Sequence, residues 1–174
     1  PVTSEFPLMH QILEVGLVEE TSKFLIFYLA AVRTSSIKEP RDGVLHAASV
    51  GLAFAIIENI FYSVHGIQVL LLRSILGTIG HMTYAAVWGY AAGVVIYTWK
   101  ARDYRYSRAV VVGALGTAAV FHGLYNYFLV IDMFGLAILV KVVTLTLAVS
   151  SLSYLQKLSP YRRFSYKEYP RAIP

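Results

Sequence analysis

The run VLHAASVGLAFAIIENIFYSV, residues 44–64, decides the fold. At about 1.5 Å per residue it is long enough to cross the roughly 30 Å hydrocarbon core of a bilayer as one α-helix. Glu58 and Asn59 lie inside this apolar run. An ionisable side chain at the centre of a membrane helix costs roughly 2.5–3.5 kcal/mol on insertion scales, so it indicates a functional role by default. The run therefore predicts a membrane helix that carries part of a functional site.

The rest of the chain has the composition of an integral membrane protein. Of its 174 residues, 57% are hydrophobic and 14% are charged, whereas a soluble domain has about 25% charged residues. The predicted spans cover about residues 8–32, 44–64, 77–99, 109–131 and 134–155. We expect an all-α, polytopic transmembrane helix bundle of about five or more spans, forming one membrane-embedded core over residues 1–174.

Three details qualify this division. Residues 67–76 form either a short interfacial helix or an extension of the third span. The chain has no cysteine, which excludes disulfides and thiolate metal sites. It begins with Pro1 rather than Met, so we expect a fragment of a longer protein, and the sequence leaves open whether helices precede Pro1.

Basic residues cluster in alternate polar segments. They occur in the loops 33–43 and 100–108 and in the tail 156–174, while the two intervening turns hold only Arg73. Because Lys and Arg favour the cytoplasmic side, we expect a multi-pass protein of the cell membrane with these loops and its C-terminus in the cytoplasm. The net charge of +5 then needs no nucleic-acid partner.

The other spans also carry polar side chains in apolar surroundings, namely Glu19, Glu20, Lys23, His81, His122 and Asn126. Counted from the outer helix ends at 1.5 Å per residue, the carboxylates and histidines all fall in the outer half of the bilayer. His122 and Asn126 are four positions apart, so they share one face of the fourth helix. Four segments with polar groups at similar depth predict one convergent site.

Each feature taken alone also has a structural interpretation. Glu19 and Glu20 can both reach Lys23 and form a neutralised ion pair inside the bundle. A single histidine or glutamate in a membrane helix often serves only as a hydrogen-bond partner between helices. Lys141 in the fifth span can pair with Glu14 or extend toward water. The complete set favours a chemical role over these separate structural ones.

Two mechanisms are compatible with this set of side chains. Two histidines and one glutamate on three helices match the three protein ligands of a catalytic zinc site, which leaves one position open for water. A further carboxylate would then deprotonate the water. Without a metal, a carboxylate can activate the water while a histidine and an amide stabilise the oxyanion. The residues alone leave both mechanisms open.

Four short motifs, in this order, resemble the PrsW family of intramembrane proteases, which is related to the type II CAAX prenyl proteases. They are VEETSK at 18–23, GLAFAIIEN at 51–59, the histidine of GHMTYA at 80–85, and HGLYN at 122–126. The resemblance implies a membrane protease classed with the metallopeptidases. In some members of the family, the substrates are anti-sigma factors cut at an extracytoplasmic site.

We therefore predict that the protein hydrolyses a peptide bond in a membrane-tethered protein near the extracytoplasmic face. An anti-sigma factor is one candidate substrate. The lipid bilayer is the other expected partner. We predict a divalent metal ion bound by Glu58, His81 and His122, with zinc as the first candidate. Two alternatives are a metal-dependent membrane lipid amidase and a non-catalytic membrane scaffold.

The remaining polar residues receive roles in the same mechanism. Glu20 or Glu19 acts as the general base, and Lys23 orients this pair. Asn126 and Asn59 stabilise the oxyanion.

Overall fold

The computed structural model describes residues 7–100 and 107–158. Those residues contain helices and turns but no strand, which confirms the all-α prediction. We number five long helices. They are α1, built of the consecutive stretches Pro7–His10, Gln11–Leu17, Val18–Phe27 and Tyr28–Val32; α2, Pro40–Tyr62; α3, Thr78–Lys100; α4, Arg108–Val130; and α5, Phe134–Leu158.

Helix α1 alternates between two windings. Gln11–Leu17 and Tyr28–Val32 are π-helical, and Val18–Phe27 between them is α-helical. At Gly16, α1 meets α4 so closely that a Cβ there would lie 3.2 Å from the backbone nitrogen of Gly123 and closer still to the carbonyl oxygen of Ala119. Small residues permit this backbone approach between helices. The contact brings α1 beside α4 just before the two glutamates of α1.

Helices α2 and α3 form the most extensive helix pair among the described residues. Helix α2 begins at Pro40 behind the N-cap Glu39, whose backbone nitrogen donates to Asp42 Oδ2 at 2.8 Å in a capping box. Gly43 of α2 packs on Gly93 of α3 at the same end of the pair. This tight packing fixes the position of α2 relative to α3.

The connection from α2 to α3 reverses at Gly66, whose φ of 103° lies in a region that glycine adopts without strain. Ile67–Leu72 is a short helix, and Arg73–Gly77 continues into α3. Arg73–Trp99 forms one uninterrupted apolar span. From Arg73 onward, the connection is therefore an extension of the third span.

Four helices in the described part of the chain are long and apolar enough to cross a membrane: Pro40–Tyr62, Arg73–Trp99, Arg108–Val130 and Phe134–Gln156. They confirm a membrane protein. Helix α1 covers the first predicted span but is not among the four, so its passage through the membrane stays a prediction. The side of each loop is also still a prediction, and the basic residues at 101–106 and from 159 onward lie outside the described residues.

Candidate active site

Polar side chains from α1, α2, α3 and α4 meet inside the bundle. Glu20 contacts His122, His81 contacts Glu58, and Lys23 bridges the two histidine-containing halves. The six predicted residues that the structure brings together are Glu19, Glu20, Lys23, Glu58, His81 and His122. The site lies toward the ends of α2 and α4 and the start of α3, at the end of the bundle opposite the 33–43 loop.

His81 has a hydrogen bond at each ring nitrogen. Its Nε2 lies 2.6 Å from Glu58 Oε2, and its Nδ1 lies 2.8 Å from Lys23 Nζ. A lysine ammonium only donates and an ionised carboxylate only accepts. The network therefore assigns the proton to Nε2 and leaves the lone pair on Nδ1. His81 is 4% exposed, so this arrangement is held away from bulk solvent.

His122 is oriented in the same manner from the other side. Its Nδ1 donates to Glu20 Oε1 at 3.0 Å, and its Nε2 lies 3.7 Å from Glu19 Oε2. The ring of Tyr84 stacks on the imidazole with centroids 4.9 Å apart and planes at 21°. The lone pair of His122 is thus on Nε2, the nitrogen beside Glu19.

Glu20 is fully buried, and both of its carboxylate oxygens accept hydrogen bonds. Oε1 receives Lys23 Nζ at 2.7 Å as well as His122 Nδ1, and Oε2 receives Trp88 Nε1 at 3.0 Å. A buried carboxylate needs such donors and a paired cation to offset its desolvation. This glutamate holds Lys23 and His122 in place and has no free oxygen facing a ligand.

Glu19, its neighbour in sequence, has a different environment. Its Oε2 is buried and has no hydrogen-bond partner among the described residues. That oxygen lies 3.5 Å from Lys23 Nζ, 3.7 Å from His122 Nε2 and 3.9 Å from His81 Nδ1. Buried polar atoms without a partner are rare in folded proteins and call for an explanation such as a catalytic role or a missing ion.

The donor set around Glu19 fits a divalent metal ion. Glu19, His81 and His122 each offer one ligand atom, and these atoms lie within 4.8 Å of one another. Each histidine also donates its other ring nitrogen to a carboxylate, which is how metal-bound histidines are usually oriented. A metal ion on His81 Nδ1 would replace the hydrogen bond from Lys23. The structure thus groups Glu19 with the two histidines, in the position for which the sequence suggested Glu58.

Glu58 is engaged elsewhere. Besides accepting from His81, it forms an ion pair with Arg73 through an Oε1–Nη2 distance of 2.6 Å. The guanidinium of Arg73 also lies 3.5 Å from the centroid of the Tyr62 ring. These contacts anchor the carboxylate that holds His81.

The two predicted amides lie outside this tight network. Asn59 Nδ2 is 3.5 Å from Thr78 Oγ1, at the outer limit of a hydrogen bond. Asn126 is half-buried on α4, one turn after His122, and forms no hydrogen bond with any described residue. Its amide is therefore available to a ligand.

Sequence reasoning missed Trp88, Arg73 and Tyr84 as parts of the site. Trp88 follows His81 by seven positions, which places both on one face of α3. Arg73 was the one Lys or Arg in the two turns between the basic segments. Nothing in the pattern singled out Tyr84 from the other aromatic residues.

Comparison with known proteins gives consistent matches. The family described as PrsW family intramembrane metalloprotease matches residues 3–152. Protease PrsW of Shouchella clausii (strain KSM-K16) is 31% identical over 124 residues, which is 71% of this chain and 55% of the relative. Protease PrsW of Bacillus subtilis (strain 168) is 30% identical over 119 residues, 67% of this chain and 52% of the relative. The chain spans about half the length of the curated relatives it matches. No solved structure matches significantly.

Proposed function

This chain belongs to the PrsW family of intramembrane metalloproteases, and on that premise we propose that it hydrolyses peptide bonds in membrane-tethered proteins. The observation that carries the proposal is Glu19 Oε2, a buried oxygen without a hydrogen-bond partner that lies 3.7 Å and 3.9 Å from nitrogens of His122 and His81. Its ion pair with Lys23 Nζ is long, at 3.5 Å, and does not satisfy this oxygen with a hydrogen bond. A group of this kind suits the handling of a nucleophilic water.

We propose that a divalent metal ion, zinc in the first place, is held by Glu19, His81 and His122. When bound, it would polarise the scissile carbonyl and acidify a water molecule. Glu58 and Glu20 would hold the two imidazoles through their Nε2 and Nδ1 protons. This gives Glu58 an orienting role instead of the ligand role that the sequence suggested.

The protein groups around the ion divide the proton transfers. Glu19 would hold the ion through one carboxylate oxygen, and its other oxygen takes the proton of the attacking water and passes it to the leaving amine. Lys23, 3.5 Å from Glu19 Oε2, keeps that carboxylate oriented. Asn126 donates its amide to the oxyanion that forms on the carbonyl oxygen. The support for this role is that the half-buried amide lies one turn from His122 and forms no hydrogen bond with the described residues.

The depth of the site favours cleavage near the extracytoplasmic face. Glu58 lies one turn before the end of α2 at Tyr62, and His81 lies in the first turn of α3. The loop at the other end of α2 carries Arg33, Lys38 and Arg41, which the distribution of basic residues assigns to the cytoplasm. The proposed substrate is a protein tethered in the same membrane, with an anti-sigma factor as one candidate.

The activity is tested with the purified protein in liposomes that contain a membrane-tethered reporter protein. Glu19→Gln should lower the cleavage rate at least about 10²-fold, because acid–base catalysis contributes about that much or more. Glu14→Gln is the matched control, since Glu14 is exposed on the same helix and pairs with His10 at 3.0 Å. A folded Glu19→Gln protein with the wild-type rate would refute the mechanism. Hydrolysis of a ceramide-like amide but of no peptide would point to a lipid amidase instead.

The metal is tested separately by elemental analysis of the purified protein. His81→Ala and His122→Ala should each remove most of the bound divalent ion, because each variant loses one of three ligands. His46→Ala is the control, since His46 Nδ1 bonds to the backbone oxygen of Asp42 near the other end of α2. Active wild-type protein without a stoichiometric divalent ion would overturn the metal proposal and favour the carboxylate-activated water.

A further inference from the structure

An apolar cavity of about 670 Å³ lies between α1, α3 and α4, toward the end of the bundle away from the proposed active site. Its wall consists mainly of aromatic and aliphatic side chains, including Phe24, Phe27, Val95, Ile96, Val111 and Leu115. Cavities that bind small ligands have volumes of about 300–1,000 Å³ and largely apolar walls. The cavity is therefore large enough for an apolar ligand.

Trp99 and Arg108 form the polar end of this cavity. Arg108 is the first residue of α4, is exposed, and has its guanidinium 5.1 Å from the centroid of the Trp99 ring. It makes no ion pair or hydrogen bond with residues in the described ranges. A guanidinium pairs well with phosphate, and tryptophan is enriched at the boundary between membrane and water. An apolar cavity with such an end fits an amphipathic anion.

The position along the helices agrees with that ligand. Trp99 lies at the end of α3 and Arg108 at the start of α4, so both flank the basic loop 100–108. The sequence of that loop adds Arg102 and Arg105. Basic residues next to membrane helices attract anionic lipid headgroups.

The guanidinium at the end of the cavity favours a lipid over a membrane-spanning protein helix as the occupant, because an anionic lipid brings the phosphate that pairs with it. A lipid acyl chain is thin and flexible enough to enter. The inner wall is rigid, because the rings of Phe24 and Phe27 pack on Trp88 with centroids 5.4 Å and 5.3 Å away.

We propose that this cavity binds one acyl chain of an anionic phospholipid, whose phosphate pairs with Arg108. The binding is independent of the proposed proteolysis. None of the ionisable groups of the candidate active site lines the cavity, and Trp88, which the rings of Phe24 and Phe27 contact, donates to Glu20.

The proposal is tested by fluorescence quenching of the full chain in lipid nanodiscs. The chain has two tryptophans; Trp88 is fully buried and Trp99 lines the cavity. Two samples of phosphatidylcholine nanodiscs are compared. One contains a small fraction of acyl-brominated phosphatidylglycerol, and the other contains the same fraction of acyl-brominated phosphatidylcholine. Bulk lipid quenches Trp99 too, so the readout is the preference for the anionic lipid. We expect about a fivefold preference, the effect of one basic residue at a membrane surface.

Variants assign this preference to the cavity. Arg108→Gln should abolish it, whereas Arg33→Gln should not, because Arg33 is exposed at the same end of the bundle but does not line the cavity. Leu115→Phe should weaken it by filling the cavity, and Val112→Phe, at an exposed part of the wall, replaces it if Leu115→Phe does not fold. An unchanged preference in Arg108→Gln, or an equal loss in Arg33→Gln, would overturn the proposal. If no brominated lipid quenches Trp99, protein fills the cavity, and this outcome also overturns the proposal.

Discussion

His122 Nδ1 donates a hydrogen bond to Glu20 Oε1 across 3.0 Å, joining residues that are 102 positions apart in sequence. The same carboxylate receives Lys23 on Oε1 and Trp88 on Oε2. Glu20 thereby fixes the tautomer of His122 and directs the lone pair of Nε2 toward Glu19. Of two adjacent glutamates, one holds Lys23 and His122, and the other keeps a buried oxygen without a hydrogen-bond partner among the described residues.

Glu20→Gln separates these two roles. The amide keeps one acceptor oxygen but loses the charge that holds Lys23 and His122, so we expect metal affinity to fall about 10–100-fold. Titration of the variant with zinc should then restore much of its proteolytic rate, measured with a tethered reporter. Glu19→Gln should not recover at any zinc concentration. If a fully metal-loaded Glu20→Gln protein is still inactive, Glu20 takes part in the proton transfer itself.

The sequence could not choose between Glu19 and Glu20, and the reason lies in α1. Adjacent residues on a helix point about 100° apart, so the choice depends on the helix rotation. The π-helical stretch Gln11–Leu17 has wider turns than an α-helix and changes the rotation of everything after it. Counting in steps of 3.6 residues from the helix start therefore does not give the face that meets His122.

Other features could be predicted because they depend on the apolar pattern and on the order of consecutive spans. The helices lie close to the apolar runs that predicted them, and the chain reverses at Gly66. The convergence of Glu58 and His81 follows from their positions near facing ends of α2 and α3. The ion pair between Glu58 and Arg73 could not be predicted from the sequence. It depends on the π-helical winding of Arg73–Gly77, which sets the direction of the Arg73 side chain relative to α2.

The close glycine packing between α2 and α3 can be tested by comparing the stabilities of two Gly→Ala variants. A Cβ on Gly93 would lie 3.1 Å from Gly43 Cα and closer still to the carbonyl oxygen of Pro40, so Gly93→Ala must push the helices apart. We expect a loss of about 1–3 kcal/mol in the free energy of unfolding. Gly113→Ala on α4 meets no atom within 4 Å and should be neutral or slightly stabilising. Denaturant titration in mild detergent measures both, and equal stability of the two variants would contradict the close α2–α3 contact.

The orientation in the membrane can be measured without background, since the chain has no cysteine. We expect cysteines placed at Ser36 and Ser107 to resist a membrane-impermeant thiol reagent in intact cells, because both lie in basic loops that the sequence predicts to be cytoplasmic. A cysteine at Ser63, exposed at the opposite end of α2, should react. Labelling of Ser107→Cys with protection of Ser63→Cys would reverse the orientation and move the proposed cleavage site to the cytoplasmic side. Equal labelling of the two would contradict the predicted topology.

Lys141 on α5 has neither of the environments that its sequence suggested. It is 5% exposed, so it does not extend to water, and Glu14 pairs with His10. Its Nζ lies 3.5 Å from the ring centroid of Tyr125 and 4.6 Å from that of Tyr84. The ammonium forms no hydrogen bond with the described residues, so aromatic rings provide the contacts that the structure shows for it.

Lys141→Met should raise the thermal midpoint of the protein in detergent. Methionine has a similar length, fills the same space and removes an ammonium whose burial is costly without hydrogen bonds. Contacts with aromatic faces recover only about 2 kcal/mol when desolvated, which is less than the several kcal/mol lost by burying an ion. Val142→Met, on the exposed face of the same helix turn, controls for the added methionine and should leave the midpoint unchanged. A lower midpoint in Lys141→Met would mean that the rings of Tyr84 and Tyr125 more than offset the desolvation of the ammonium.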